Sequence, residues 1–328
     1  LQQDFYQQFG FYVTDDATEN FDVYKYSVYK IIGKCDLSKK SLPRSINLSI
    51  EDWFWFHLSL VNESSSNASS SAALGESQLI FENYPLADLQ KQVIQLGPKK
   101  LNASSNSPFY LRALVMSGLF ELAVQYTYEH INECDAVHLA IGLVYYGLLR
   151  VVDLANSPPH LQHDGLLEVN SKTGDYAVNF GRFLGLYTRT FKILDPRVAA
   201  HYSILIALGN GGNSQADLAI CHEAIRELVL STREFGLLLG EINPSTGEKV
   251  PGLFENKRSL FGLLKIDDYY HTIIDVSATR CEEEGRVFDS LLLYQLAQEY
   301  RTVVKLINKL LSEALSTSEF DKPLIKAT

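Results

Sequence analysis

Apolar residues recur at helical intervals along nearly the whole chain, and this periodicity limits the possible fold more than any other feature. Val303, Ile307, Leu310 and Ala314, for example, lie at positions i, i+4, i+7 and i+11, which places them on one face of an α-helix. Signals for strands are nearly absent, since no Asn-Gly or Asp-Gly pair lies between two runs of alternating polarity. We therefore expect an all-α fold.

Short breaks rich in Gly, Pro, Asn or Asp separate the periodic segments, which predicts many helices of roughly 12–18 residues. Such a series favours an irregular α-helical solenoid of stacked antiparallel helices over a four-helix bundle. No repeat of fixed period is present, which argues against tetratricopeptide and ankyrin arrays. The predicted helices cover residues 22–34, 53–61, 85–96, 109–116, 119–130, 136–154, 176–191, 196–208, 215–233, 265–280, 283–299 and 300–315.

Two segments interrupt the helical pattern. Residues 63–77 are rich in serine and contain no large apolar side chain before Leu74, so we expect a loop there. Residues 241–255 are punctuated by Gly and Pro, which predicts a loop between helices. Because a solenoid grows by adding helices to one stack, we expect one continuous solenoid over residues 1–328. The only Met, Met116, lies inside the chain, which indicates a fragment of a longer protein.

The composition excludes several classes of function. The chain has 29 Lys and Arg against 39 Asp and Glu, a formal charge of −10, so it repels phosphate backbones and is not expected to bind nucleic acid directly. The longest strongly apolar stretch, residues 136–149, is shorter than the ~20 residues that span a bilayer, so no transmembrane segment is expected. The four cysteines are widely spaced and form no CxxC pair, which indicates free thiols in a reducing compartment.

One group of residues has the spacing of metal ligands. His130, Cys134 and His138 lie at i, i+4 and i+8, so on one continuous helix they would face a common metal ion. However, residues 132–135 have the polar composition of a junction between two helices, which would separate the three side chains. His160 and His163 lie in a Pro-rich segment without partners at ligand spacing. We therefore expect no metal site.

Candidate catalytic groups do not assemble either. Cys221 and His222 are adjacent, so on a helix their side chains point about 100° apart. The glycine-rich residues 209–213 could bind an anion, but a helix C-cap followed by a linker explains them more simply. The acidic residues 282–284 are expected in the first turn of a helix, where they complement its dipole. With no GxSxG or GxxxxGK[ST] motif, we expect no enzyme, no catalytic residue and no cofactor.

Two aromatic stretches could anchor a partner protein. Residues 53–56 are Trp-Phe-Trp-Phe, and Tyr145 and Tyr146 form a second pair. Aromatic side chains in helical proteins more often pack between helices, so we expect these to belong to the core. The residues that bind a partner therefore stay unassigned.

Two C-terminal segments carry a family signal. Residues 240–253 read GEINPSTGEKVPGL, and residues 283–297 read EEGRVFDSLLLYQLA, followed by YRTVV and LINK up to Lys309. Together they closely resemble the nucleoporin-interacting component family, the linker-scaffold nucleoporins of the nuclear pore inner ring. Residues 51–56, 109–123 and 195–202 are also similar to that family, and the Ser/Asn-rich segments resemble its fungal form.

This resemblance implies a solenoid of the ancestral-coatomer type and a structural role in the nuclear pore complex at the nuclear envelope. The family's solenoid holds linker peptides of other inner-ring nucleoporins, supports nucleocytoplasmic transport, and lies peripheral to the membrane without catalytic residues or cofactors. Its channel-trimer-recruiting N-terminal region is not recognisable here, so the chain resembles the C-terminal part of the solenoid. Two alternatives remain: a vesicle-coat or tethering subunit of the same architecture, and a helical metalloenzyme using His130, Cys134 and His138.

Overall fold

The described part of the chain is built almost entirely from helices. A computed structural model describes residues 1–9, 22–37, 39–43, 46, 48–62, 84–102, 109–152, 165–169, 174–211, 214–243 and 245–317. Contacts divide the chain into two compact units, residues 1–123 and residues 124–328. The all-α prediction is confirmed. The prediction of one continuous solenoid stays a prediction, and the predicted loop at residues 63–77 lies outside the described residues.

The first unit contains five complete helices within the described ranges, and a sixth crosses its boundary. These are α1 (Gln2–Phe9), α2 (Val23–Gly33), α3 (Ile50–Leu60), α4 (Leu86–Leu101), α5 (Phe109–Met116) and α6 (Phe120–His130).

The start of α3 follows from its capping residues. Ser49 accepts a hydrogen bond from the backbone N–H of Asp52, and the Asp52 side chain accepts one from the backbone of Ser49 in return. This reciprocal cap satisfies two N–H groups that the first helical turn leaves without partners. Phe54 and Phe56 are buried, whereas Trp55 points to solvent. The helix predicted over residues 53–61 is therefore confirmed, and only part of this aromatic stretch belongs to the core.

A buried lysine ties α2 to the segment that follows it. The ammonium of Lys30 donates hydrogen bonds to the backbone carbonyls of Asp36 and Lys39, at 2.9 and 2.5 Å, and lies 3.6 Å from the Asp36 carboxylate. That carboxylate also accepts a hydrogen bond from the Tyr26 hydroxyl at 2.7 Å. A buried ammonium is tolerated only when such partners replace its hydration, so this network fixes the path of the chain after α2.

The second unit contains the remaining described helices and two short hairpins. The helices are α7 (Glu133–Tyr145), α8 (Phe180–Arg189), α9 (Pro196–Leu205), α10 (Gln215–Thr232), α11 (Phe235–Leu238), α12 (Leu253–Lys257), α13 (Ile266–Tyr269), α14 (Val276–Glu283), α15 (Val287–Leu296) and α16 (Tyr300–Thr317), with a π-helical turn from Tyr270 to Asp275 between α13 and α14. Strand β1 (Leu167–Val169) pairs antiparallel with β2 (Tyr176–Val178), and β3 (Gly240–Ile242) with β4 (Lys249–Pro251). Among the described residues, no helix combines the length and apolarity needed to cross a membrane.

Three predicted helix boundaries are wrong. The helix predicted from Tyr176 begins only at Phe180, because the backbone of Val178 bonds to Arg150 and Val152 and thereby extends β2. The helix predicted up to residue 154 ends at Tyr145, since Gly147 adopts a left-handed conformation (φ 68°) that terminates it.

The third correction concerns the acidic run at residues 282–284. It lies at the C-terminal end of α14, not in the first turn of the following helix. Acidic side chains are unfavourable there because the C-terminal end of a helix carries partial negative charge. The nearby cation of Arg286 offsets part of this cost, since its guanidinium lies 3.4 Å from the Glu284 carboxylate.

Residues 241–255, expected as a loop between helices, contain most of the second hairpin and the start of α12. Two glycines are required where the strands meet. Gly240 has φ of 110°, and a Cβ on Gly252 would come within 2.3 Å of backbone atoms of Leu239 and Gly240. No larger residue fits either position.

The α15–α16 hairpin buries a different set of apolar side chains from the predicted one. The helical spacing predicts that Val287, Leu291 and Tyr294 of α15 pack against Val303, Ile307 and Leu310 of α16. Of these six residues, only Tyr294 is buried. The other five, Val287, Leu291, Val303, Ile307 and Leu310, are half-buried, and the side chain of Ala314 lies outside the described residues. The residues that fill the core here are Leu293, Leu296 and Leu306.

This difference gives a stability prediction. Leu293 is 0% exposed, whereas its neighbour Leu292 is 44% exposed. We expect Leu293→Ala to lower the free energy of unfolding by about 2–5 kcal/mol, because it leaves a cavity. The control Leu292→Ala is expected to change it by about 0.5 kcal/mol or less. Urea denaturation of both variants measures the difference, and equal effects would contradict this placement of the core.

A buried histidine is expected to make the stability of the first unit depend on pH. The Nδ1 atom of His57 lies 3.2 Å from the Tyr84 hydroxyl. Burial lowers the pKa of His57 to about 4, and repulsion from Lys40 and Lys30 adds to this effect. The folded unit therefore holds a neutral imidazole at pH values where an unfolded chain carries an imidazolium.

We expect the first unit to lose stability as the pH falls from about 6.5 towards about 4. The unfolded state binds more protons over this range, so the free energy of unfolding decreases with acidification. Both tryptophans of the chain lie in α3 beside His57, so tryptophan fluorescence reports on this unit during urea denaturation. His57→Gln should flatten the pH dependence, and the exposed-site control His130→Gln should leave it in place.

Candidate partner-binding groove

A groove between α8 and α10 in the second unit could receive a ligand. Its volume is about 550 Å³, within the range of pockets that hold a small ligand or several side chains. The helices start at well-defined caps, since Asn179 and Ser214 each accept a hydrogen bond from a backbone N–H in the first turn of α8 and α10 respectively. These caps fix the residues at which α8 and α10 begin.

Two glycines on α8 set the shape of the groove. At Gly181 the helices are in contact, because a Cβ there would lie 3.1 Å from the Ile220 side chain. One turn later, at Gly185, a Cβ would meet no atom within 4 Å. The two helices therefore diverge between these positions, and the groove opens where Gly185 leaves space.

The groove is apolar inside and charged along its edges. Its apolar lining consists of Leu184, Leu186, Ile206, Ile220, Ala224 and Leu228. Along α8 the edge carries Arg189, which is exposed and pairs with no described residue. Such a lining suits a partner that buries apolar side chains and presents a carboxylate to the guanidinium.

The opposite edge, on α10, carries the carboxylates of Glu223 and Glu227, and both are paired with cationic side chains. The Arg280 guanidinium donates to Glu223 at 2.8 Å and Arg226 donates to it at 2.7 Å. The hydrogen bond from Arg280, aided by Arg226, holds the pKa of the Glu223 carboxyl below its ordinary value although burial acts in the opposite direction. Glu227 pairs with Lys192 at 3.1 Å and thereby connects the two edges. Arg189 therefore remains available to a partner.

The three residues with metal-ligand spacing do not come together. His130 ends α6 and stacks on Tyr126, with ring centroids 4.7 Å apart. Asn132 caps α7, so the predicted junction between His130 and Cys134 is confirmed. Nowhere in the described ranges do three or more His, Cys, Asp or Glu side chains group as metal ligands.

Cys134 and His138 share one face of α7, where Sγ lies 3.5 Å from Nδ1, and both side chains also contact tyrosines. His138 Nδ1 lies 2.7 Å from the Cys134 carbonyl, so this nitrogen is the donor and Nε2 accepts from the Tyr202 hydroxyl at 3.1 Å. Tyr187 donates to the Cys134 sulfur at 3.4 Å. Because Nδ1 already carries a proton bonded to a carbonyl, His138 is not placed to deprotonate the thiol.

The other sequence candidates have structural partners. The Cys221 thiol is buried against the carbonyl of Ser203, and burial raises its pKa to about 12. His222 faces elsewhere, with Nε2 2.9 Å from the Phe261 carbonyl. In the glycine-rich turn, Asn210 donates to the Asp217 carboxylate at 3.0 Å, so an anion would meet a negative charge. Gly212, Asn213, His160 and His163 lie outside the described residues.

Of the remaining aromatic candidates, Tyr145 and Tyr146 are exposed at the end of α7. The expectation that they belong to the core is therefore wrong. The groove itself was not found by sequence reasoning. Its only sequence signal is the pair Gly181 and Gly185, and such a pair equally marks close helix packing.

Comparisons with known proteins point to one family. The family model described as Nup93/Nic96 matches residues 1–328. The chain is 41% identical over 304 residues to "Nucleoporin NIC96" of Saccharomyces cerevisiae, covering 93% of this chain and 32% of that protein. It is 30% identical over 302 residues to "Nuclear pore complex protein Nup93" of Danio rerio, covering 90% of this chain and 33% of that protein. The chain thus spans about a third of these relatives.

A solved structure agrees with these sequence matches. The crystal structure of Chaetomium thermophilum Nic96 SOL superposes with a TM-score of 0.74 at 36% identity, covering 96% of this chain and 43% of that one. At this identity and coverage the two share the same helical solenoid fold.

The two glycines of α8 give a matched test of the groove geometry. We expect Gly185→Ala to raise the free energy of unfolding by about 0.5–1 kcal/mol, because alanine favours the helix and finds open space. Gly181→Ala should raise the free energy of unfolding by a smaller amount or lower it, because the new Cβ would lie too close to the Ile220 side chain. Thermal denaturation of both variants measures the difference. A stabilising Gly181→Ala together with a destabilising Gly185→Ala would show that the helices do not diverge as described.

Proposed function

The chain belongs to the Nup93/Nic96 family, and from this we propose that it forms part of a structural scaffold in the inner ring of the nuclear pore complex. The match of the family model over residues 1–328 carries the proposal. Relatives from fungi and vertebrates are named as nucleoporins, which favours the nuclear pore over a vesicle coat or tether. The proposed location is the nuclear envelope, where the scaffold supports nucleocytoplasmic transport.

We propose that the scaffold works by holding segments of other inner-ring nucleoporins, and that the α8–α10 groove is one place where it does so. Solenoids present such grooves between helices as binding surfaces for extended or helical peptides. The apolar lining would bury side chains of the segment, and Arg189 would pair with a carboxylate beside them. The partner segment is thus expected to combine large apolar residues with at least one acidic residue.

The proposed role is non-enzymatic and peripheral to the membrane. The buried thiol of Cys221 and the bonded rings of His138 and His222 support a structural rather than catalytic use of these residues. A net charge of −10 opposes direct contact with nucleic acid. We propose that a different region of the family's longer proteins recruits the channel nucleoporin trimer.

Filling the groove tests this proposal. Gly185→Leu places a side chain into the open space beside α8, and we expect it to reduce retention of inner-ring nucleoporins at least tenfold without unfolding the chain, because it removes the volume that the partner would occupy. The measurement is a pull-down with purified inner-ring nucleoporins.

The chain offers a matched control for this substitution. Gly142 also lies inside a helix, and a Cβ on it would likewise meet no atom within 4 Å, but it does not line the groove. Gly142→Leu should therefore leave retention unchanged. If Gly185→Leu retains partners as the unmodified chain does, the groove is not the binding site. If the unmodified chain retains none of the inner-ring nucleoporins, the scaffold proposal itself is wrong.

A further inference from the structure

Contacts between its two edges close the α8–α10 groove at both ends. At one end α8 packs on α10, because a Cβ on Gly181 would lie 3.1 Å from the Ile220 side chain. At the other end the Lys192 ammonium donates a hydrogen bond to the Glu227 carboxylate at 3.1 Å. Ile220 and Glu227 are seven residues apart on α10, so ~10 Å of helix separates the two ends. A partner segment longer than this needs one end to open.

The two ends differ in how easily they open. Separating Gly181 from Ile220 would require α8 and α10 to move apart, and packed helices resist such movement. The ion pair opens by rotation of two side chains. The Glu227 side chain is 68% exposed, whereas the Lys192 side chain is only 22% exposed. Water would therefore hydrate a released Glu227 carboxylate, and the end formed by Lys192 and Glu227 is the one that a partner can open.

Opening this end leaves Lys192 in need of another anion. Its ammonium is largely shielded from solvent, so water alone replaces the lost carboxylate poorly. Arg189 lines the same part of the groove, is exposed, and pairs with no described residue. Two cations three residues apart thus face the segment that enters here. A segment with two acidic side chains would satisfy both of them.

We infer that the ion pair between Lys192 and Glu227 is an exchangeable gate of the groove. A carboxylate of the bound nucleoporin segment replaces Glu227 on Lys192, and no proton is transferred in this exchange. The inference rests on the proposed function of the groove and adds the chemistry of the segment, which carries a second acidic residue besides the one that pairs with Arg189. Lys192 is then a residue that determines specificity, since a segment without the second acid leaves the gate closed.

A purely structural ion pair predicts a different pattern of mutational effects. If the pair only holds α8 against α10, removing either side chain breaks the same contact and has the same effect on binding. If the gate exchanges carboxylates, the two removals have opposite effects, because Glu227 competes with the partner whereas Lys192 binds it. The sign of the two effects therefore separates the two roles.

Two single variants measure these signs. The measurement is the affinity for a purified inner-ring nucleoporin that the unmodified chain retains, determined by biolayer interferometry. Glu227→Gln should strengthen binding about threefold, because it removes the competing charge. Lys192→Met should weaken binding roughly fivefold or more, because it removes the ammonium and keeps the aliphatic stem.

Another ion pair of the same unit supplies the control. Arg150 and Asp175 are also 3.1 Å apart, and neither lines the groove. Asp175→Asn removes a carboxylate from this pair, as Glu227→Gln does at the gate, and should leave the affinity unchanged. Circular dichroism should report the same helical fold for all three variants, since each replaces a side chain by one of similar size.

Carbodiimide crosslinking reports on the gate in the unmodified chain. The reagent takes up water to become a urea while a contacting amine and carboxylate form an amide bond, so the free chain should yield a link between Lys192 and Glu227. Mass spectrometry of the complex should show this link replaced by one from Lys192 to an Asp or Glu of the nucleoporin.

Several outcomes would overturn the inference. Changes of affinity in the same direction for Glu227→Gln and Lys192→Met would show a purely structural pair, as would a link between Lys192 and Glu227 that persists undiminished in the complex. If Gly185→Leu abolishes retention while neither gate variant changes it, the groove binds the partner and the gate is wrong. If the unmodified chain retains none of the inner-ring nucleoporins, the proposed function fails and the gate fails with it.

Discussion

Burial of one face of α10 is the interaction on which the second unit depends. Cys221, Ile225 and Val229 are each 0% exposed and lie at i, i+4 and i+8, so this face is covered along its length. Fully burying an aliphatic side chain of this size contributes about 1.5–3 kcal/mol, whereas an exposed ion pair contributes about 0–1 kcal/mol. Apolar packing therefore fixes where α10 lies, and its polar edges adapt to that position.

The polar groups of α10 then determine which elements can pack beside it. Arg226 donates to the Thr272 carbonyl at 2.8 Å, and Arg233, in a left-handed conformation just after the helix, donates to Asp289 on α15 at 2.6 Å. Burial would raise the pKa of Asp289, but hydrogen bonds from Arg233 and Arg286 outweigh this and leave it lowered. Because each contact joins α10 to an element far along the sequence, they specify the arrangement more than they add to its stability.

The groove depends on two glycines, Gly181 and Gly185, which lower the stability of α8 where it lies beside α10. Glycine inside a helix is less favourable than alanine by about 0.5–1 kcal/mol. At Gly181 the missing side chain lets α8 pack closely against Ile220. At Gly185 a Cβ would meet no atom within 4 Å, so the glycine there does not serve close packing. A residue that lowers stability without relieving a clash is typical of a position retained for function. The open space at Gly185 and the available charge of Arg189 are separate observations, and both support the proposal that the α8–α10 groove binds a partner.

The sequence by itself determined the helical class, most helix locations and the family, because these depend on short-range periodicity, on capping residues such as Ser49 and on two long C-terminal motifs. Its helix boundaries were wrong at three places. Tyr176 lies in a strand because of its pairing, Gly147 ends α7 at Tyr145 by its left-handed conformation, and residues 282–284 lie at the end of α14 and not at the start of α15. Tertiary structure alone decided which apolar side chains are covered: Leu293 is buried, whereas its neighbour Leu292 is 44% exposed. It also decided that α8 and α10 touch at one glycine and separate at the next. Distances between helices depend on packing between residues far apart in the chain, and a local pattern does not encode them.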